Sequence, residues 1–122
     1  MLSRQRAYLL DILRSAEAIE EYISRYSRDS FLKDTRTQDA VLRRLMVIGE
    51  AAARLTPETT APETTRRFED VPFYKIVGMR NRVVHDYGQI DLEIIWETAH
   101  MHLPVVRAEL RAWFDLAGAD EV

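Results

Sequence analysis

The sequence contains no cysteine, which excludes disulfides, thiolate metal ligands and a cysteine nucleophile. Glycine and proline are scarce, with four residues of each, so an all-β fold rich in turns is disfavoured. There is also no apolar run approaching the ~20 residues that a membrane-spanning helix needs. The charged N-terminal region does not have the pattern of a signal peptide. We therefore expect a cytoplasmic protein with no membrane association.

The length and composition are typical of one folded domain, which we predict to span residues 1–122. Hydrophobic residues make up 47% of the chain and charged residues 30%. The net charge of −3 by itself disfavours a nucleic-acid partner. However, residues 41–85 carry eight bases and five acids, whereas residues 86–122 carry two bases and eight acids. Positive charge is therefore concentrated in the middle of the chain.

Apolar residues recur at helical spacing in four long segments. These segments predict helices over residues 3–26, 37–55, 73–86 and from Asp91 onward, with residues 29–36 as a loop. A short additional helix is expected near Phe68, and Pro104 should kink or split the fourth long helix. Since no strand pattern is present, the predicted fold is all-α, an antiparallel four-helix bundle.

The third predicted helix carries most of the chemically versatile side chains. Arg80, Asn81, His85 and Tyr87 lie within eight residues, in a segment with no acid before Asp86. Asn81 and His85 are four residues apart and share a helix face. Arg80 and His85 are five apart, which is about 140° around the axis. Only the long arginine side chain, or a second copy of the helix, could bring them together, so the spacing favours a site shared across a two-fold dimer axis.

These side chains could cleave an RNA phosphodiester. A neutral imidazole can take the proton of a ribose 2′-hydroxyl, and a guanidinium can stabilise the charge that develops on the phosphate. No carboxylate cluster accompanies the segment, so we expect neither a metal nor another cofactor. The plainer alternative is a surface histidine–aspartate pair with basic residues near a helix C-terminus.

Residues 80–87 resemble the R-x4-H-x-Y motif of the HepT-like toxins in the HEPN superfamily. The stretches 37–41, 48–52, 71–73, 76–81, 91–97 and 103–104 resemble other parts of that family, in the same order. The resemblance implies an all-α homodimeric ribonuclease, the toxin of a toxin–antitoxin pair, with Arg80 and His85 catalytic and Asn81 supporting them. It further implies that an MNT-type nucleotidyltransferase antitoxin inactivates the toxin by attaching AMP to Tyr87.

Several assignments stay open at the level of sequence. Lys75 and Arg82 are candidate RNA-binding residues, while Arg43 and Arg44 could bind RNA or simply be solvated. Other residues with undecided roles are Glu50, which could orient an arginine or face solvent, and His100 and His102, which have no evident metal partners. The alternative function is a non-catalytic HEPN partner of a nucleotidyltransferase that presents a nucleotide or substrate, and a purely structural dimer is a third possibility. Neither the RNA target, tRNA or mRNA, nor the assembly with an antitoxin follows from the sequence.

Overall fold

A computed structural model describes the backbone of residues 2–85 and 90–118, and the side chains of residues 4–83 and 90–116. Within these ranges the chain forms helices and no strand, which confirms the predicted all-α bundle. A π-helical turn, Thr98–His102, joins the sixth helix to the seventh. The α-helices of the described ranges are α1 (Leu2–Ile23), α2 (Arg28–Leu32), α3 (Thr35–Ala53), α4 (Pro62–Arg67), α5 (Phe73–His85), α6 (Leu92–Glu97) and α7 (Leu103–Gly118).

Helix α3 lies at the centre of the packing, because it contacts both α1 and α5. Helix α1 contacts α7 on its other side. The predicted stripes of α1, α3 and α7 are buried, with no exposed surface on side chains such as Leu9, Ile48 and Leu110. The buried face of α3, which includes the small residues Gly49, Ala51 and Ala52, therefore contacts more than one partner.

The predicted loop over residues 29–36 is wrong, because the short helix α2 lies there. The Ser30 N–H donates to Ser27 Oγ (3.1 Å), and the Ser27 N–H donates to Ser30 Oγ (2.9 Å). This reciprocal capping box uses serine where glutamate or glutamine is usual, so the sequence pattern hides it. Phe31, the bulkiest apolar residue of α2, is fully buried, and the centroid of its ring lies 5.4 Å from that of Trp96.

The ends of α1 and α3 also differ from prediction. Helix α1 ends at Ile23, and the Tyr26 hydroxyl donates to the Asp34 carboxylate while accepting from the Thr37 hydroxyl (2.9 Å). Asp34 caps α3, because its carboxylate accepts the Thr37 N–H (3.0 Å). These bonds connect the segment after α1 to the start of α3, which a helical period cannot reveal. The predicted end of the third long helix at Asp86 lies outside the described residues.

The last long helix is split near Pro104, as predicted. Asp91 caps α6 by accepting the Glu93 N–H (2.9 Å), which confirms the predicted start. Before Pro104 the chain widens into the π turn, where the Leu103 N–H donates to the Thr98 carbonyl five residues earlier. Proline has no N–H, and its ring clashes with the carbonyl four residues before it in a regular α-helix. The π turn explains why the helix is split before Pro104 and not merely bent at that residue.

Polar contacts attach the outer elements to α1. The Ala61 N–H, just before α4, donates to the buried Gln5 side chain (2.7 Å). Arg111 of α7 donates to the Glu17 carboxylate (2.6 Å). No helix in the described ranges combines the length and the hydropathy of a membrane span.

Candidate active site

Helix α5 carries the arginine–histidine segment, with one face in the core and the opposite face in solvent. Ile76 and Val83 are seven residues apart, about two helical turns, and both are buried. Arg80 lies at the border between the faces, with 29% of its side chain exposed. The exposed face carries Tyr74, Lys75, Gly78, Asn81 and Arg82.

The absence of a side chain at Gly49 allows α3 and α5 to approach closely beside Arg80. A Cβ added at Gly49 would lie 2.7 Å from Arg80 Cγ and closer still to Arg80 Cβ. It would also lie 3.4 Å from the Ile76 carbonyl oxygen. Gly49 therefore permits the backbone of α3 to pass directly against the stem of Arg80.

The guanidinium of Arg80 is held from both helices. Its Nη2 donates to Glu50 Oε1 on α3 (3.2 Å), and its Nη1 donates to Asn81 Oδ1 on α5 (2.9 Å). Its Nε is buried and has no hydrogen-bond partner among the described residues. Each terminal nitrogen carries a second N–H, so the guanidinium retains donors suited to a phosphate.

The structure resolves the open role of Glu50, because its carboxylate contacts Arg80 rather than only solvent. Glu50 follows Gly49 directly, so the residue that allows the helices to approach also places the next side chain beside the guanidinium. Asn81 contacts Arg80 through its side chain, which agrees in geometry with the predicted supporting role. The Glu50 contact could not be derived from spacing on α5 alone, since Glu50 is 30 residues away.

The other two motif residues lie at or beyond the edge of the described structure. His85 is the last residue of α5, and its side chain lies outside the described residues. Tyr87 lies wholly outside them. The helix register nevertheless places the backbone of His85 about 140° around the axis from Arg80. The predicted meeting of the arginine and the histidine therefore stays a prediction.

The four candidate RNA-binding cations are placed differently. Lys75 and Arg82 are exposed on α5, seven residues apart and so on one side of the helix. Arg43 is exposed on α3 and lines a cleft together with Glu50 and Val83. Arg44 faces α1 instead, where its Nε donates to the Tyr22 hydroxyl (3.4 Å). The structure thus separates Arg43 from Arg44, which the sequence could not.

Among the described residues, two larger open clefts flank α5, beside a smaller cavity lined by Met79, Arg82 and Ile95, among others. The α3–α5 cleft has a volume of about 420 Å³ and is lined by Arg43, Met46 and Glu50, among others. The α5–α6 cleft lies between α5 and the unit formed by α6 and the π turn, and its volume is about 390 Å³. Both volumes fall within the range of small-ligand sites.

The histidines of the π turn lie apart from each other. His100 stacks on Trp96, with ring centroids 5.0 Å apart, whereas His102 lies 3.9 Å from the Glu97 carboxylate. Among the residues that the structure describes, no three histidine, aspartate or glutamate side chains are grouped so that they could hold a metal ion.

Comparison with known proteins identifies related chains. A family model described as ribonuclease HepT-like matches residues 12–113. MJ0127 of Methanocaldococcus jannaschii, provisionally named an RNase, is 36% identical over 117 residues, which cover 95% of this chain and 93% of that protein. The probable ribonuclease HepT of Thermococcus cleftensis is 30% identical over 110 residues, covering 89% of this chain and 94% of that protein.

A third relative shows the same kind of sequence within a longer protein. MJ0434 of Methanocaldococcus jannaschii is 32% identical over 105 residues, which cover 86% of this chain but 45% of that protein. Its name joins a gamma-glutamylcyclotransferase to a provisionally assigned RNase. No solved structure matches the chain significantly. The family match and these relatives confirm the resemblance drawn from the sequence motifs.

Proposed function

Because the chain belongs to the HepT-like ribonuclease family, we propose that it is a metal-independent endoribonuclease and the toxin of a HEPN/MNT-type toxin–antitoxin system. The observation that carries this proposal is the Arg80 guanidinium, held by Glu50 and Asn81 beside an open cleft. A guanidinium held in place in this way is preorganised to bind a phosphate. RNA is the expected substrate.

The proposed reaction uses side chains only. The imidazole of His85 takes the proton from a ribose 2′-hydroxyl, and the resulting oxygen attacks the neighbouring phosphorus. Arg80 stabilises the negative charge that builds on the phosphate oxygens, while Glu50 and Asn81 keep its guanidinium in place. The bond from phosphorus to the 5′-oxygen of the next nucleotide breaks, and a proton returns to that oxygen. DNA would not react, because it lacks the attacking hydroxyl.

We further propose that the active site forms at a homodimer interface. Arg80 is directed toward α3, whereas the backbone register of His85 lies about 140° away around α5. Pairing two α5 helices across a two-fold axis near their C-terminal ends, with the N-terminal part at Tyr74 left open, would bring an arginine of one subunit toward a histidine of the other. It would also double the positive charge in one cleft.

Tyr87 is the proposed point of control. It follows His85 by two residues, so an AMP group attached to its hydroxyl would place a bulky anion next to the general base. That adduct would block the RNA-binding surface and repel the RNA backbone. A nucleotidyltransferase antitoxin that uses ATP would provide this group.

The direct test is cleavage of total RNA by the purified protein in excess EDTA, with sequencing of the new 5′ and 3′ ends. We expect cleavage by the wild type and by Lys33→Ala, which changes an exposed lysine at the C-terminal end of α2. His85→Ala and Arg80→Ala should each lose activity while remaining folded. Equal cleavage by wild type and His85→Ala would refute the proposal.

The alternative of a non-catalytic partner makes a different prediction. Expression without the antitoxin would then be harmless, and motif substitutions would have no effect on growth. Tyr87 is tested separately by incubation with an active nucleotidyltransferase partner and ATP. Intact mass should rise by one or more AMP units, and Tyr87→Phe should abolish that increase. An unchanged wild-type mass with an active partner would contradict the modification.

A further inference from the structure

The α5–α6 cleft has the shape and chemistry of a nucleotide site, separate from the contacts of Arg80. Its α5 wall includes Tyr74, Lys75 and Arg82, and its opposite wall includes Glu97 and His102. Apolar side chains form part of the lining between these walls, contributed by Ile76, Met79 and Ile94. A cleft that combines an aromatic ring, two cations and an apolar surface matches the chemical parts of a nucleotide.

Tyr74 is the feature that points to a base rather than to phosphate alone. It is 73% exposed, among the most exposed large hydrophobic side chains in the described structure. Aromatic rings displayed in this way are stacking platforms for unpaired bases in single-stranded nucleic acid. The neighbouring Gly78 leaves open space, since a Cβ built there would have no atom within 4 Å.

The two cations of the cleft have no acidic partner in the described part of the chain. By contrast, Arg80 is paired with Glu50, and Arg67 of α4 is paired with Glu109 (2.6 Å). Lys75 and Arg82 are seven residues apart, so both lie on the side of α5 that faces the cleft. Their charges are therefore available to an external anion.

The cleft and the proposed catalytic motif share helix α5. Arg82 lies about 60° around the axis from the register of His85, and Tyr74 lies about 12 Å before Arg82 along the helix axis. The register of His85 falls between Asn81, on one side of the exposed face, and Lys75 and Arg82 on the other. A strand with its cleaved phosphate at the motif can thus run along α5 into the cleft.

We propose that the α5–α6 cleft binds a nucleotide of the same RNA strand next to the cleaved phosphate. The base stacks on Tyr74, and Lys75 and Arg82 bind its phosphate. Glu97 accepts a hydrogen bond from an amino group on the base edge, so adenine, cytosine or guanine is favoured over uracil. This proposal rests on the proposed ribonuclease function for the identity of its ligand.

Binding is measured apart from cleavage, with fluorescently labelled single-stranded RNA of eight nucleotides and protein carrying His85→Ala. In that background Tyr74→Ala should weaken binding by about 5- to 100-fold, the usual effect of removing the stacking partner of one base. Tyr74→Phe keeps the ring and should bind like the parent. Lys33→Ala, an exposed charge outside the cleft, is the control for a nonspecific effect of removing positive charge.

The salt dependence distinguishes the two kinds of interaction. Lys75→Ala combined with Arg82→Ala should reduce the slope of log affinity against log salt, by about 0.7 for each phosphate that is no longer neutralised. Tyr74→Ala should leave that slope unchanged. Unfolding curves of each variant confirm that the protein remains folded. In active protein, Glu97→Gln should reduce the preference for amino-bearing bases in the cleavage sites.

The outcomes separate this inference from the proposed function. If the wild type cleaves RNA but the tyrosine and double-cation variants bind it normally, the cleft proposal is wrong and the function stands. If no cleavage occurs but binding depends on Tyr74, the cleft stands and the catalytic proposal fails. A change in dimerisation by analytical ultracentrifugation, with unchanged RNA affinity, would identify the cleft as a subunit contact and overturn the proposal.

Discussion

Replacing Gly49 with alanine tests whether close contact between α3 and α5 positions Arg80. The new Cβ would lie 2.7 Å from Arg80 Cγ and closer still to Arg80 Cβ, whereas ordinary contacts begin near 3.4 Å, so about 1 Å of movement is required. Overpacking of this kind costs about 1–3 kcal/mol. Glycine to alanine inside a helix otherwise stabilises by about 0.5–1 kcal/mol. We therefore expect the free energy of unfolding to fall by up to about 2.5 kcal/mol.

Gly78→Ala is a matched control for this stability measurement. Gly78 is also inside a helix, but an added Cβ there has no neighbour within 4 Å. The free energy of unfolding of this control should rise by about 0.5–1 kcal/mol, because alanine is favoured over glycine inside a helix. The difference between the two variants, measured by urea unfolding followed by circular dichroism, therefore isolates the overpacking cost of about 1–3 kcal/mol.

The same displacement should impair RNA cleavage. Moving the stem of Arg80 by about 1 Å disturbs its contact with Glu50, which is already 3.2 Å long. Misplacement of about 1 Å can reduce catalysis roughly 100-fold, so we expect kcat/KM to fall by about 10- to 100-fold. If Gly49→Ala gains as much stability as Gly78→Ala and cleaves RNA at the wild-type rate, the close approach does not position Arg80.

Three further predictions concern the ion pair, the core and acid stability. Glu50→Gln should lower kcat about tenfold, because Arg80 is then positioned less well. The free energy of unfolding should fall by less than about 1 kcal/mol, because the ion pair is partly exposed. A large decrease in stability with a normal kcat would contradict this prediction. Phe31→Ala should lower the free energy of unfolding in urea by about 3–5 kcal/mol, since the ring is fully buried against Trp96. A decrease of less than about 1 kcal/mol would contradict the placement of Phe31 in the core. The Tyr26 hydroxyl and the Thr37 N–H hold the pKa of Asp34 below its ordinary value of 3.8. The contribution of Asp34 to stability is therefore present above pH 3.8 and lost as the pH falls through the lower folded-state pKa. Asp34→Asn should remove that part of the pH dependence of stability, measured as the unfolding midpoint at pH values around and below 3.8. A pH profile identical to that of the wild type would contradict this prediction.

Local sequence patterns determined the long helices and the motif helix α5. Periods of three and four residues placed Leu9, Ile48 and Leu110 in the core because each helix has one continuous buried face. Asp91 was predictable as a cap because it bonds to amides only two and three residues away. The family resemblance likewise depends on short motifs whose order is visible in the chain.

Tertiary structure decided what lies between the helices. Glu50 reaches Arg80 only because α3 and α5 meet at Gly49, 31 residues before Arg80, and no spacing rule connects positions so far apart. Arg43 and Arg44 are adjacent in sequence but diverge because neighbouring residues point about 100° apart around a helix. The α5–α6 cleft depends in the same way on how two elements are separated in space. A helical period specifies which face is buried, whereas the neighbours of the partly exposed residues are set by packing.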